Sequence, residues 1–307
     1  MENKKLTIPN YQDQINPAVI WSIFKNSWKF ISIFLVVNIC VAVIYSLNIP
    51  NTYTSTAKLE LVDSSQQQSI SGGGSQFGEL GSFMGMDLGG TNESALVTAR
   101  INARFFALKI ANLDGILPSL MAAKGYDFTA NQILFNSKLY DESENKWNVS
   151  FTNQKIYERF RSTVLVSFDQ KSQLFTIAVK HFSPIFAYEL LQLVLDEINL
   201  LSRANAVNES KESIAFLKDQ LSVNTQANVI LSINALIESQ LKAQMLAYAQ
   251  KDFLLKPVDP AYIPDIKSGP QRAKIVILWV IFSFIGVIIF LVSKDTVWLN
   301  SKSSSNK

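Results

Sequence analysis

KPVDPAYIPDIKSGPQRAK, residues 256–274, runs directly into IVILWVIFSFIGVIIFLV, residues 275–292, and Ser293 and Lys294 follow. The second half carries no charge, and Ser283 and Gly286 are its only non-apolar members. At a 1.5 Å rise per residue, roughly 18 to 20 such residues cross the hydrocarbon of a bilayer, whereas a soluble core helix shows a polar face. Pro257, Pro260, Pro264 and Pro270 lead into it. Proline fixes φ and removes a backbone donor, so this entry segment reads as a stiff, extended collar.

Working outward, FISIFLVVNICVAVIYSLNI, residues 30–49, is a second run of spanning length. It is longer than the 7–15 residues of a secretory h-region, and Ile49-Pro50-Asn51-Thr52 is a poor cleavage site, so it reads as an uncleaved anchor. Asn38 within it is either an interhelical hydrogen-bonding residue or one tolerated polar group. Lys4, Lys5, Lys25 and Lys29 flank the first run and Lys294, Lys302 and Lys307 the second, which places both termini in the cytoplasm. Lys267, Arg272 and Lys274 oppose this, but long loops translocate largely regardless of charge. Trp28, Trp279 and Trp298 stand where interfacial aromatics are expected.

The 307 residues are 48% apolar and 17% charged, too apolar for a disordered chain and too charged for a polytopic transporter. A net charge of +3 without a basic cluster argues against a nucleic-acid partner. The single Cys40 excludes an intrachain disulfide.

Between the apolar runs, residues 53–62 alternate like a strand, and Ser64 to Gly90 is a Ser/Gln/Gly tract. Gly72-Gly73-Gly74 lacks the Gly-Lys-Ser/Thr of a phosphate loop and reads as a flexible connection. Glu93 to Asn112 reads as one helix with Leu96, Ile101, Phe105, Leu108 and Ile110 on its apolar face. Val164 to Phe168 and Leu174 to Lys180 form a hairpin around Asp169–Gln173. Ser183-Pro184 starts a helix that continues to about Leu221, with a polar mid-section at Asn205, Asn208, Glu209 and Lys211. After a break near residues 222–225, Ile230, Ile233, Ile237, Leu241 and Met245 mark the face of a returning helix. Phe253 to Val258 reads as a returning strand.

No Walker A motif, Cys/His cluster, Gly-x-Ser-x-Gly or Asp-x-Asp occurs. The groups Asp141/Glu142/Glu144 and Asp196/Glu197 read as solvated, and His181, the only histidine, as a strand-end residue. No catalytic, cofactor-binding or metal-ligating set is expected.

The order of these features resembles the Wzz-type chain-length determinants, polysaccharide co-polymerases of the lipopolysaccharide O-antigen class. The resemblance rests on Tyr53 to Leu61 after the first apolar run, the Ser/Gly tract before a helix, His181-Phe-Ser-Pro184, Asn234 to Gln240 and the proline-rich entry. It implies an α+β membrane protein, with two transmembrane helices flanking a periplasmic domain that has an α/β base and a long protruding helical hairpin. The corresponding expectation is a cytoplasmic tail at 1–29, spans at 30–49 and 273–293, a periplasmic domain at 50–272 and a cytoplasmic tail at 294–307. Within the domain the base takes 50–182 and 251–258, the hairpin 183–250 and the collar 257–272. The resemblance further implies an inner-membrane homo-oligomer that sets polysaccharide length beside a Wzy-type polymerase acting on lipid-linked glycan, with the phospholipid bilayer its other partner. Pro257, Pro260, Pro264, Pro270 and Gly286 are the structural or coupling residues it suggests. Gly286 stands without the second glycine of a Gly-x-x-x-Gly pair, and the tail at 294–307 is expected to carry no cytoplasmic ATPase domain of the kind that members fused to tyrosine kinases have. The alternatives are a capsule or exopolysaccharide export co-polymerase and a two-span periplasmic sensor, which would need an output module.

Overall fold

The computed structural model describes residues 17–62 and 90–305, so the Ser/Gly tract up to residue 89 lies outside the described residues. In chain order the elements are α1 (Pro17–Asn48), β1 (Tyr53–Leu61), α2 (Gly90–Ile101), α3 (Arg104–Ala111), α4 (Ile116–Met121), β2 (Ala123–Asp127) and β3 (Gln132–Phe135). There follow β4 (Tyr140–Asp141), β5 (Lys146–Trp147), α5 (Asn153–Thr163), β6 (Val164–Asp169) and β7 (Leu174–His181). The chain closes with α6 (Pro184–Val223), α7 (Ala227–Ala249), β8 (Leu255–Asp259) and α8 (Arg272–Ser305). Two units form, one from Met1–Ile49 with Pro270–Lys307 and the other from Pro50–Gly269.

The first unit is an antiparallel pair of helices. Ile31 and Val287 bury each other with Leu35 beside them, and the rings of Tyr45 and Trp279 lie 6.3 Å apart. Ile33, Val36, Val37 and Ile44 of α1, and Ile277, Leu278, Ile281 and Phe282 of α8, remain exposed. Among the described residues, Ile31–Asn48 is long and apolar enough to cross a membrane. Asn38 donates to Phe34 O at 2.9 Å, so its amide is satisfied within its own helix rather than across to a neighbour. The helix starts at Pro17, well inside the segment expected as a polar tail, and proline at a first helical position forfeits no hydrogen bond. At the other end α8 continues to Ser305, beyond the expected end of the apolar run.

The second unit is built on an antiparallel sheet of order β6-β7-β1-β8. Alternation in β1 sends Tyr53, Ser55, Ala57 and Leu59 inward, and Phe175, Ile177 and Val179 of β7 join them. The first half of α6 covers this face with Phe186, Ala187, Leu190, Leu191, Val194 and Ile198. Ser183 caps that helix by accepting from Phe186 N at 3.2 Å, and Pro184 fills its first turn. Phe106 of α3 meets Phe160 of α5 edge to face, extending the core sideways.

The helix expected over Glu93 to Asn112 is two helices, interrupted at Asn102-Ala103, where Ala103 is extended (φ −69°, ψ 141°). The break re-phases the second helix, so Phe106, Ala107, Ile110 and Ala111 face the core while Phe105 lies exposed; Leu96, in the first helix, is exposed as well. Three hairpin turns share one chemistry. Asp127, Asp141 and Asp169 each accept from the backbone N–H two residues on, and Asn131, Asn145 and Gln173, four residues after each aspartate, take a left-handed backbone (φ 55°, 50° and 57°). Tyr126 and Tyr140 donate to Asn131 and Asn145 respectively, so β2–β3 and β4–β5 repeat one Tyr-Asp-x-x-x-Asn design.

Beyond the sheet, α6 and α7 form an antiparallel hairpin around Asn224–Gln226; the 40 residues of α6 span about 60 Å. Val207, Ser210, Ile214, Leu217 and Leu221 line the seam on α6, and Ile230, Ile233, Ile237, Gln240, Gln244 and Ala247 on α7. These alternating spacings of three and four follow the coiled-coil period of about 3.5. The face expected through Leu241 and Met245 takes consecutive steps of four, each rotating about 40° past the seam, and both residues are exposed.

Candidate functional site

The unit Pro50–Gly269 begins and ends at one bridge. Thr52 N donates to Gly269 O at 2.9 Å, while Ser268 N and Gly269 N donate back to Thr52 O at 2.8 and 3.3 Å. Ser268 adds its hydroxyl, which donates to Thr52 O at 3.0 Å and accepts from Thr54 Oγ1 at 2.7 Å. Thr52 stands four residues after the end of α1, and Gly269 three before the start of α8. An antiparallel bridge fixes its two chains roughly 5 Å apart, so the sequences leading to both apolar helices leave from one point. Gly269 is buried, and a Cβ on it would lie 2.9 Å from Thr52 Oγ1, closer than a side chain tolerates. A side chain at 269 would therefore force the Thr52 hydroxyl to move.

The collar runs from β8 to this bridge along the same strand. Pro257 lies in β8 opposite Leu59, at a register shift, and β8 is an edge strand, where a missing N–H is tolerated. Pro260 is exposed and Pro264 buried, while Pro270 immediately follows the bridge. Ser55 Oγ donates to Tyr262 O at 2.7 Å, and Lys256 pairs with Glu60 at 3.1 Å. The collar is thus fastened to β1 from Leu61–Leu255 at one end to Thr52–Gly269 at the other. Pairing as well as proline content holds it extended. Gly286 is exposed with no atom within 4 Å of its Cβ position, so nothing packs closely against it in the helix pair.

At the root of the hairpin, buried Asn199 of α6 stands in for a strand. Its Oδ1 accepts from Leu254 N and Leu255 N at 2.8 and 2.9 Å, and its Nδ2 donates to Leu255 O at 2.9 Å. Arg203, one turn on, donates to Gln250 O and Lys251 O at 2.7 and 2.6 Å, tying the carbonyls that close α7. Asn199 and Arg203 line a shallow pocket with Asp196, Leu200, Tyr248 and Lys251. Neither residue, nor Thr52 or Gly269, is singled out by sequence pattern. The usable signal for Asn199 is an amide within the apolar stripe of Leu191, Leu195 and Ile198.

His181 ends β7, as expected, and is buried. One ring nitrogen lies 2.9 Å from Ser119 O and the other accepts from Ser183 N at 3.1 Å. A carbonyl needs a donor and an N–H needs an acceptor, so the neutral ring with its proton on Nε2 satisfies both. Burial pushes its pKa down to about 4, with the Arg159 charge adding to the effect against two opposing hydrogen bonds. Asp141 is half-buried, and the Ser143 hydroxyl and backbone hold it below the ordinary carboxylate range. Glu197 differs from expectation: its side chain is mostly buried and paired with Lys109, which links α6 to α3, while Asp196 is solvated. Among the described residues no group of three His, Cys, Asp or Glu could hold a metal.

No known family profile matches the chain, and no curated protein matches it significantly. It is similar to solved structures described as a full-length bacterial polysaccharide co-polymerase (13% identity, TM-score 0.38, covering 93% of this chain and 98% of that one) and a fragment of WzzB, the polysaccharide co-polymerase from Salmonella Typhimurium. The latter has 14% identity and TM-score 0.31, covering 71% of this chain and all of the fragment. A mutant of the Shigella flexneri lipopolysaccharide O-antigen chain-length regulator WzzB is also similar, at 9% identity and TM-score 0.23, with the same coverage.

Proposed function

We propose that this chain is a non-enzymatic co-polymerase of the bacterial inner membrane that sets the length of a surface polysaccharide of the O-antigen type. It spans the membrane twice, through α1 and the Ile275–Val292 run of α8, with both termini cytoplasmic and Pro50–Gly269 in the periplasm. The exposed apolar side chains on both helices suit lipid better than water. The observation that carries the reading is the single bridge at Thr52–Gly269, which closes a sheet that roots a 40-residue helix. Such a part supplies geometry: a rod clipped to its base and leashed at one point to two anchors. Bond formation needs a positioned acid, base or metal, and here that work falls to a separate Wzy-type polymerase acting on lipid-linked glycan. The order of elements along the sequence, matching that of the Wzz-type determinants, supports the assignment. The apolar residues that the hairpin leaves uncovered, among them Phe216, Val223, Leu231 and Met245, support self-association into a homo-oligomer.

Deleting the gene tests the proposal. Gel-separated glycans from the deletion strain keep near-normal total polymer but lose their modal length. Complete loss of polymer points to an enzyme or export factor, and an unchanged ladder removes the length-control reading.

A further inference from the structure

The collar has two sides. Ala261 packs against the core and Pro264 is buried, and the Ser55 bond to Tyr262 O fixes the backbone between them. This anchoring turns three large apolar side chains outward: Tyr262 is 53% exposed, Ile263 47% and Ile266 82%. The loop is therefore held in a shape that presents apolar surface, and exposed apolar patches of this kind mark contact sites. Charge and chain length indicate what the contact is. From Tyr262 to Lys274 the chain carries Lys267, Arg272 and Lys274 against Asp265, a net of +2. Ile266 precedes the first residue of α8 by six positions, a reach of at most about 20 Å of extended chain. A tyrosine, two isoleucines and basic residues, leashed this closely to a membrane helix, are the composition of an interfacial anchor. There apolar groups enter the headgroup boundary and lysines meet lipid phosphates.

We propose that Tyr262, Ile263 and Ile266 insert into the headgroup boundary of the outer leaflet of the bilayer, with Lys267 on anionic lipid phosphate. The collar would then be a membrane foot as well as a connection. This inference rests on the membrane-spanning reading of α8, and its test separates the two.

The full chain carrying Cys40→Ser, reconstituted in 3:1 phosphatidylcholine:phosphatidylglycerol vesicles, would be labelled with an environment-sensitive fluorophore at Ile266→Cys, Lys171→Cys or Ile281→Cys. Lys171, in the β6–β7 turn, is the aqueous reference, and Ile281, in α8, reports the span. The expected result is a blue-shifted Ile266→Cys label quenched by headgroup-spin-labelled lipid at least threefold more than the Lys171→Cys label. The Ile281→Cys label is then quenched by acyl-chain-labelled lipid. If the Ile266→Cys label behaves like the Lys171→Cys label while Ile281→Cys is lipid-quenched, the foot is overturned and the span stands. A blue-shifted but unquenched Ile266→Cys label means protein covers the collar, which also overturns the proposal. Absence of quenching at Ile281→Cys removes the spanning reading and the foot together.

Discussion

Thr52 and Gly269 meet through backbone hydrogen bonds in both directions, 217 residues apart in sequence, and the threonine Oγ1 occupies the space a side chain at 269 would need. Thr52 Oγ1 is buried without a hydrogen-bond partner, so removing it breaks no bond. Gly269→Ala is therefore expected to destabilise the protein by about 1–2 kcal/mol, Thr52→Ala by less, and the double variant to recover most of the loss. Chemical denaturation of the four chains in detergent measures the cycle. Simple additivity would show that the glycine is not held there by close approach.

Asn199→Ala leaves the N–H groups of Leu254 and Leu255 without acceptors in a buried site, at an expected cost of about 2–4 kcal/mol. Hydrogen exchange at those two amides should accelerate more than exchange within the β1–β7 ladder. Equal acceleration throughout would mean that Asn199 does not clip the hairpin specifically to β8.

Much of this architecture is legible in sequence because it rests on local signals. Ser183-Pro184 marks the start of α6 through capping chemistry, and alternation gives β1, β6 and β7 their faces. The misread parts depend on phase or on distant partners. Asn102-Ala103 interrupts a helix that its flanking apolar residues would continue, and the α7 stripe follows a coiled-coil period rather than steps of four. Thr52–Gly269 and Asn199–Leu255 join positions 217 and 56 residues apart, and nothing near either end of these pairs names its partner. Gly269 in particular sits among Ser268 and Pro270 like any loop glycine.

His181 is neutral in the native protein, with a pKa of about 4, and ordinary when unfolded, near 6.5. Between these values the unfolded chain binds the extra proton, so stability contributed by the neutral ring is present above pH 6.5 and declines as pH falls toward 4. The full shift corresponds to roughly 3 kcal/mol. His181→Gln should lower stability at pH 7 yet flatten the slope between pH 6.5 and 4. An unchanged slope would assign the pH dependence to other groups.

With Cys40 replaced by serine, single cysteines at Asn224→Cys and Ser304→Cys report topology. In intact spheroplasts an impermeant thiol reagent should label the former and spare the latter. The reverse pattern would invert the chain in the membrane.

On the proposed function, polysaccharide length is set by geometry that runs through the Thr52–Gly269 bridge. Glycan ladders from the deletion strain carrying wild type, Gly269→Ala or Gly269→Ala with Thr52→Ala, at matched expression, test it most directly. Gly269→Ala is expected to broaden the length distribution, the double variant to restore a narrower, wild-type-like one, and all three to make equal total polymer. Identical ladders from all three chains, or polymer yield falling with the single substitution, would contradict it.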